Sequence, residues 1–331
     1  MVLESHVALA GQGGTDPRAA LPLESPHPQP TAPLPALPHD ETIDRLLTPT
    51  SGANDPAFVH LGSLRVEASL FAEFSAAQRH LARDPEALKL LSALERDASI
   101  HTIHGIDASD PQGDRFDPRG TFDPKQPVQT GGDIYWDPHS ALRSNNGTTQ
   151  TPALALLHEQ GHAWEWKTDP HGYLAGFNDK SRRYDTAEEQ RNETGLERRA
   201  AAALGEGTRR DHGGTPYGVA GSTSRTPTDP RVTHTPEQLQ SLIENGIANL
   251  AYHGYATPPP PSAGTIHPWD HKAHSGTFIG VDQHTVAQHV GRGAYEVYDV
   301  ERDLHGHYPD QTRSLTVDAR GHIPQHDAHA H

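Results

Sequence analysis

The chain contains no cysteine among its 331 residues and a single methionine. A disulfide framework and a cysteine-ligated metal are therefore excluded, and any metal must be held by His, Asp or Glu. Hydrophobic residues amount to 33% and aromatics to 6%, against 30 Gly and 29 Pro. That apolar content is too small for two full domains and suits one core of about 150 to 180 residues. No run of about 18 apolar residues occurs, so no membrane-spanning helix is expected. A basic segment followed by roughly 7 to 15 apolar residues, the mark of an ordinary signal peptide, is also missing. Positive charge is scarce: 27 Lys and Arg face 43 Asp and Glu, a formal charge of −16, which argues against a nucleic-acid partner. Histidine, in contrast, is abundant at 25 residues.

Proline dominates the first stretch. Pro22, Pro26, Pro28, Pro30, Pro33, Pro35 and Pro38 remove backbone donors at short intervals, so residues 1–54 are expected to be a disordered leader. From Phe58 the pattern becomes that of a folded domain, expected over residues 55–228. A helix is predicted from about 67 to 82, with Leu70, Phe71, Phe74 and Leu81 on one side. A second runs to about 97, where Asp84 caps, Pro85 takes the first position, and Leu88, Leu91 and Leu94 form a stripe. Ile100 to Ile106 alternates as a half-buried strand whose His101 and His104 could be ligands but are rather expected to face solvent at a sheet edge. Residues 107–129 read as a long surface loop, and Gly132 to Trp136 as the next strand.

The most informative stretch is Leu154-Ala155-Leu156-Leu157-His158-Glu159-Gln160-Gly161-His162-Ala163-Trp164. On a helix, His158 and His162 at i and i+4 project from one face, so both imidazoles can reach one Zn²⁺, with Glu159 beside its open position. A catalytic zinc needs three protein ligands and a free position, where bound water reaches a pKa of about 7. Glu159 then suits the general base that takes the proton from that water and passes it to the leaving amine. Gly161 and Ala163 suit a helix packed tightly at its back.

The third ligand must come from elsewhere. Tyr184 to Glu197 reads as a second helix with Asp185 or Thr186 as N-cap; Glu189 is the first choice, and Glu188 and Glu193 are the alternatives. The intervening residues 167–184 read as a polar loop whose Tyr173, Phe177 and His171 could line a groove. Glu197 is a candidate to orient a ligand histidine through its other ring nitrogen. Peptide hydrolysis also builds negative charge on the scissile oxygen, for which Tyr217, His212 and Arg210 in a Gly-rich turn are candidates.

Three segments together, Thr130-Gly131-Gly132-Asp133-Ile134-Tyr135-Trp136-Asp137-Pro138, Leu157 to Ala163, and Glu188-Glu189-Gln190-Arg191, resemble the effector-type zinc metallopeptidases typified by the NleD effector. The Glu-Glu-x-Arg segment is also similar to that of clostridial neurotoxin light chains, although this chain has Asn192-Glu193-Thr194-Gly195 where their pattern has Thr-Phe-Gly. The resemblance implies an α+β zincin-like domain and zinc ligands His158, His162 and Glu189. It further implies a secreted bacterial effector or toxin that cleaves a protein of a target cell.

Beyond the domain, residues 229–271 read as a linker bearing a short helix from Glu237 to Tyr252. Three alternating strands follow, within residues 272–308. They resemble the small KfrB-like β module of mobile-element and secretion-linked proteins, which implies a noncatalytic recognition or export role with secretion machinery or a chaperone as partner. Residues 309–331 are expected to be a disordered, His-containing tail. Two other functions fit the same residues: a noncatalytic adaptor with structural zinc, and a toxin that cuts its own linker near residues 222–236.

Overall fold

The computed structural model describes residues 39–50 and 55–324, so most of the proline-rich leader and the last residues of the tail lie outside the described residues. Within the span expected as leader, His39–Leu46 nevertheless forms a helix, α1, and Ile43, Leu46 and Leu47 are buried in the main core. Its apolar positions at i, i+3 and i+4 outweigh the proline-rich composition around it.

The first half of the chain builds a sheet with helices against it. Strands β1 (Phe58–Leu61) and β2 (Leu64–Glu67) form a hairpin, followed by helices α2 (Phe71–Leu81) and α3 (Pro85–Glu95). Asp84 accepts from the Glu86 amide at the start of α3, with Pro85 at the first helical position. Strands β3 (Ile100–Gly105), β4 (Arg115–Thr121) and β5 (Val128–Trp136) complete a five-stranded sheet ordered β1-β2-β3-β5-β4. β3 is thus interior, parallel to β2 and to β5, not an edge. His101 is fully buried and bonded to Asp97, and His104 lies half-buried against Glu67, which corrects their expected solvent exposure. Within the expected loop 107–129, Arg115–Thr121 form β4, the edge strand, which passes a register shift between Pro118 and Gly120, the latter opposite Gln129.

Short strands β6 (Ser140–Ser144) and β7 (Thr149–Gln150) lead into the 17-residue helix α4 (Pro152–Thr168). The Thr151 hydroxyl accepts from the Leu154 amide, Pro152 takes the first turn, and Trp136 Nε1 donates to the Pro152 carbonyl. The apolar face of α4 then fills the space beneath α2 and β5, with Leu154, Leu156, Leu157, Ala163 and Trp166 buried. The segment expected as a polar loop after it contains α5 (Pro170–Asn178), capped by Asp169.

A two-stranded ribbon, β8 (Lys180–Ser181) with β9 (Asp185–Thr186), precedes α6 (Ala187–Asn192). The helix continues through one π turn, Glu193–Glu197, into α7 (Arg198–Leu204), which ends on left-handed Gly205. The end of the expected Gly-rich turn at 209–217 is strand β10 (Gly214–Gly218), paired with β6 in the sheet β10-β6-β7.

The C-terminal part consists of α8 (Pro236–Tyr252), β11 (Ile266–Pro268), β12 (His274–Gly280), β13 (Thr285–Gly291), β14 (Ala294–Asp299), a short α9 (Val300–Asp303) and β15 (Ser314–Val317). The three expected strands are β12, β13 and β14, and β11 and β15 extend them to a five-stranded sheet ordered β11-β14-β13-β12-β15. β15 falls in the stretch expected as disordered tail, and Leu315 and Val317 are buried in that sheet's core. α8 covers the other face, packing Ile243 and Leu250 against Ile279, Ala287 and Tyr295. The architecture is therefore α+β, with several small sheets, and the described residues hold no helix long and apolar enough to cross a membrane.

Because Leu46 is 1% exposed in the main core, Leu46→Ala is expected to cost about 2–5 kcal/mol. Urea unfolding of the full chain measures this; an unchanged midpoint would mean that α1 does not pack.

Candidate metal centre

Helix α4 delivers His158, Glu159 and His162 to one place, all buried, as the i, i+4 spacing requires. Opposite it runs the helix formed by α6, the π turn and α7. There Thr186 is the cap, its hydroxyl accepting from the Glu189 amide at 3.0 Å. The π turn inserts one extra residue per turn, which keeps Glu189, Glu193 and Glu197 directed inward along one face. The two helices approach closely at Gly161, where an added Cβ would stand 2.2 Å from Asn192 Oδ1. Asn192 uses that proximity to donate to the His158 carbonyl at 2.7 Å.

The carboxylates divide into two sets. Glu197 Oε2 lies 2.9 Å from His158 Nδ1, and Glu188 Oε1 pairs with His162 Nδ1. Acceptors at both Nδ1 atoms place the hydrogens there in the neutral rings, which leaves a lone pair on each Nε2. Those two Nε2 atoms are 2.8 Å apart, and Glu189 Oε2 lies 3.0 Å from one and 3.3 Å from the other. In the neutral rings three electron-pair donors thus point at one another, an arrangement that repels unless a proton or a metal ion lies among them. Donors around a tetrahedral zinc stand about 3.3 Å apart, so the set needs to open by about half an ångström at most.

Charge leads to the same requirement. Glu159, Glu188, Glu193 and Glu197 are all buried, Glu189 nearly so, and Arg209 is the guanidinium among them. Arg209 holds both oxygens of Glu197, at 2.9 and 2.6 Å, while Gln150 donates to Oε1 at 2.8 Å. Five carboxylates against one guanidinium leave a negative excess that must be met by protons on the imidazoles or on Glu159, or by a metal ion. The histidines feel that field. Burial and the neighbouring His162 oppose charge on His158, but Glu189 and Glu197 outweigh them and raise it to about 10. For Glu189, burial works against ionisation and the two imidazoles overcome it, holding the carboxyl well below its usual range. Glu159, in contrast, is pushed up by burial, against the pull of His158 and His162.

The other sequence candidates are spread around this centre. His212 comes within reach of His158 and Glu189, with Nδ1 paired to Glu193 and 3.7 Å from Glu189 Oε2. Burial opposes its charge, but Glu193 and Glu189 raise its pKa. Tyr217 stands on the cleft wall, yet its hydroxyl donates to the Arg225 carbonyl at 2.9 Å. Arg210 points away, toward Asp310. Tyr173 and Phe177 line the cleft and His171 is not among its lining residues. Glu197 is 2% exposed and is therefore not an exposed helix charge.

Two participants carried no sequence signal of their own. Arg209 is adjacent to the candidate Arg210, and only the bend before β10 decides which guanidinium turns inward. Asp114, in the loop before β4, faces the same cleft, a cavity of about 770 Å³. It accepts from the Asp137 amide at 2.7 Å. Burial raises its carboxyl to about 8, and the charge of Glu159 adds to the effect.

The loop carrying Arg209 and His212 is buttressed from the C-terminal half. Asp211, 1% exposed, accepts from Asn145 Nδ2 at 2.9 Å and from the Tyr255 hydroxyl. Asn145 in turn accepts from Asn249 Nδ2 of α8 at 3.0 Å and, at its carbonyl, from the Gln311 amide at 2.9 Å. No family model, curated protein or solved structure matches the chain.

Gly161→Ala is expected to lower stability by about 1–3 kcal/mol through forced separation of the two helices, read by denaturant unfolding. Asp114 binds its proton more tightly folded than unfolded, so it weakens the fold as pH rises from about 4 toward about 8. Asp114→Asn should therefore melt higher than wild type at pH 8 and show a smaller difference at pH 5. Equal melting shifts at both pH values would show that Asp114 titrates normally.

Proposed function

We propose that the chain is a zinc-dependent endopeptidase in which His158, His162 and Glu189 hold the metal and Glu159 is the general base. The observation that carries this reading is the convergence of His158 Nε2, His162 Nε2 and Glu189 Oε2, with both Nδ1 atoms already engaged by carboxylates. Glu189 is preferred to its neighbours because Glu188 serves the far side of His162 and Glu193 serves His212 and Arg209. When bound, zinc supplies Lewis acidity and lowers the pKa of a water to about 7.

The chain's own groups account for the remaining steps. Glu159 is buried beside the cleft and its pKa is raised, which suits a carboxylate that accepts a proton and later returns it to the leaving amine. Glu197 and Glu188 fix the imidazole tautomers and orientations, and Arg209 holds Glu197 in place. We assign His212 to stabilise developing charge on the scissile oxygen, because Glu193 and Glu189 favour its protonated form. Tyr217 is less suited, its hydroxyl being committed to Arg225.

The resemblance to effector peptidases, whose zincin-like domain this reading adopts, carries the proposal further: the substrate is a protein of a recipient cell, reached by a specialised secretion route. The reading is tested with purified wild type and Glu159→Gln, measuring zinc content and cleavage of an unstructured peptide library. Zinc in both proteins and a loss of cleavage of at least about 100-fold in Glu159→Gln is the expected result. Cleavage retained in Glu159→Gln, or zinc bound by a wild type that cuts nothing, would favour a structural metal instead.

A further inference from the structure

A second group of metal-type donors lies in the C-terminal sheet, and none of its members lines the cleft. Asp270 sits in the turn after β11, His274 at the start of β12 and Glu296 in the middle of β14. Asp270 Oδ1 is 2.8 Å and Glu296 Oε1 is 3.1 Å from the same atom, His274 Nε2. One ring nitrogen carries at most one hydrogen, so His274 Nε2 does not give a separate hydrogen to each carboxylate. Two carboxylate oxygens therefore compete for the hydrogen of a single ring nitrogen.

Glu296 is also an unusual residue for its position. It is 7% exposed, on the sheet face that carries Trp269, Phe278 and Tyr298. Its Oε2 is 3.5 Å from the Tyr298 hydroxyl, whose closer acceptor is Gln288 Oε1 at 2.8 Å. Burial raises the pKa of this carboxyl, a cost that a cation beside it would offset. Lys272 does not provide it, since its ammonium is exposed and engages the outer oxygen of Asp270. The inner oxygen of Asp270, the inner oxygen of Glu296 and the imidazole nitrogen lie within 4.8 Å of one another.

We propose that Asp270, His274 and Glu296 form a second divalent-cation site, which takes zinc and clamps the β11–β12 turn to β14. One nitrogen and two carboxylate oxygens match the ligands of zinc rather than the all-oxygen sets of calcium or magnesium. Asp270 is partly exposed, which leaves room for water to complete the shell. A metal ion can serve all three donors at once, where a single proton serves two. This site is independent of the peptidase reading, because it shares no residue with the α4 centre.

The test is zinc stoichiometry of the full-length chain, measured by calorimetric titration in the presence of a weak competing chelator that suppresses isolated histidines. Alongside wild type stand His162→Ala/Glu189→Ala, His274→Ala, and Glu296→Gln as a near-isosteric variant. Two equivalents are expected in wild type, and one in each variant. Zinc should raise the melting temperature of His162→Ala/Glu189→Ala, and this rise should vanish when Glu296→Gln is added. If wild type takes one equivalent that the His162→Ala/Glu189→Ala variant loses, or no zinc at all, the C-terminal group is an ion pair and the proposal fails. One equivalent retained in that variant and lost in Glu296→Gln would uphold this site while removing the α4 centre.

Discussion

Five carboxylates gathered around two imidazoles in a largely buried space constitute the constraint on which this structure turns. Such a cluster is unstable in isolation, because each carboxylate loses hydration and repels the others. The surrounding fold answers with Arg209, with the ring hydrogens of His158 and His162, and with the positions of Glu193 and Glu197 on one π turn. What these leave unanswered is the point where two Nε2 atoms and Glu189 converge. A divalent cation there would relieve both the local lone-pair repulsion and the charge excess.

That constraint explains features that otherwise look unrelated. Gly161 is needed because Asn192 must come close enough to bond the His158 carbonyl, which sets the distance between the two ligand-bearing helices. Thr151 caps α4 while its amide and hydroxyl both bind Glu206, tying the helix start to the chain just after α7. Arg209 must enter a buried space, so the loop that carries it is pinned by Asp211 to Asn145 and Tyr255. Through those contacts the C-terminal half serves the centre structurally as well as standing as a sheet of its own.

Polarity in this protein is concentrated rather than spread. Its apolar residues suffice for a core under α4 and for two smaller cores on either face of the C-terminal sheet. The remaining specificity of packing comes from buried polar contacts, such as Trp136 to Pro152, Asn145 to Asp211 and Gln288 to Tyr298. Groups of this kind fix one arrangement because each is costly to leave without its partner.

The sequence by itself determined what depends on composition and local periodicity. The i, i+4 spacing puts His158 and His162 on one face of a helix, Asp84-Pro85 starts a helix by satisfying a free amide, the Asp185-Thr186 pair marks the start of another, and three of the C-terminal strands follow from alternation. The lack of cysteine limits metal donors to His, Asp and Glu however the chain folds. Only the tertiary structure decided which of Glu188, Glu189, Glu193 and Glu197 meets which nitrogen, because neighbours on one helix are separated by rotation about its axis and by the π turn. It alone turned Arg209 inward and Arg210 outward, buried His101 in an interior strand, and recruited α1 and β15 into cores. Each of those outcomes depends on contacts between residues far apart in the chain, for which local spacing carries no information.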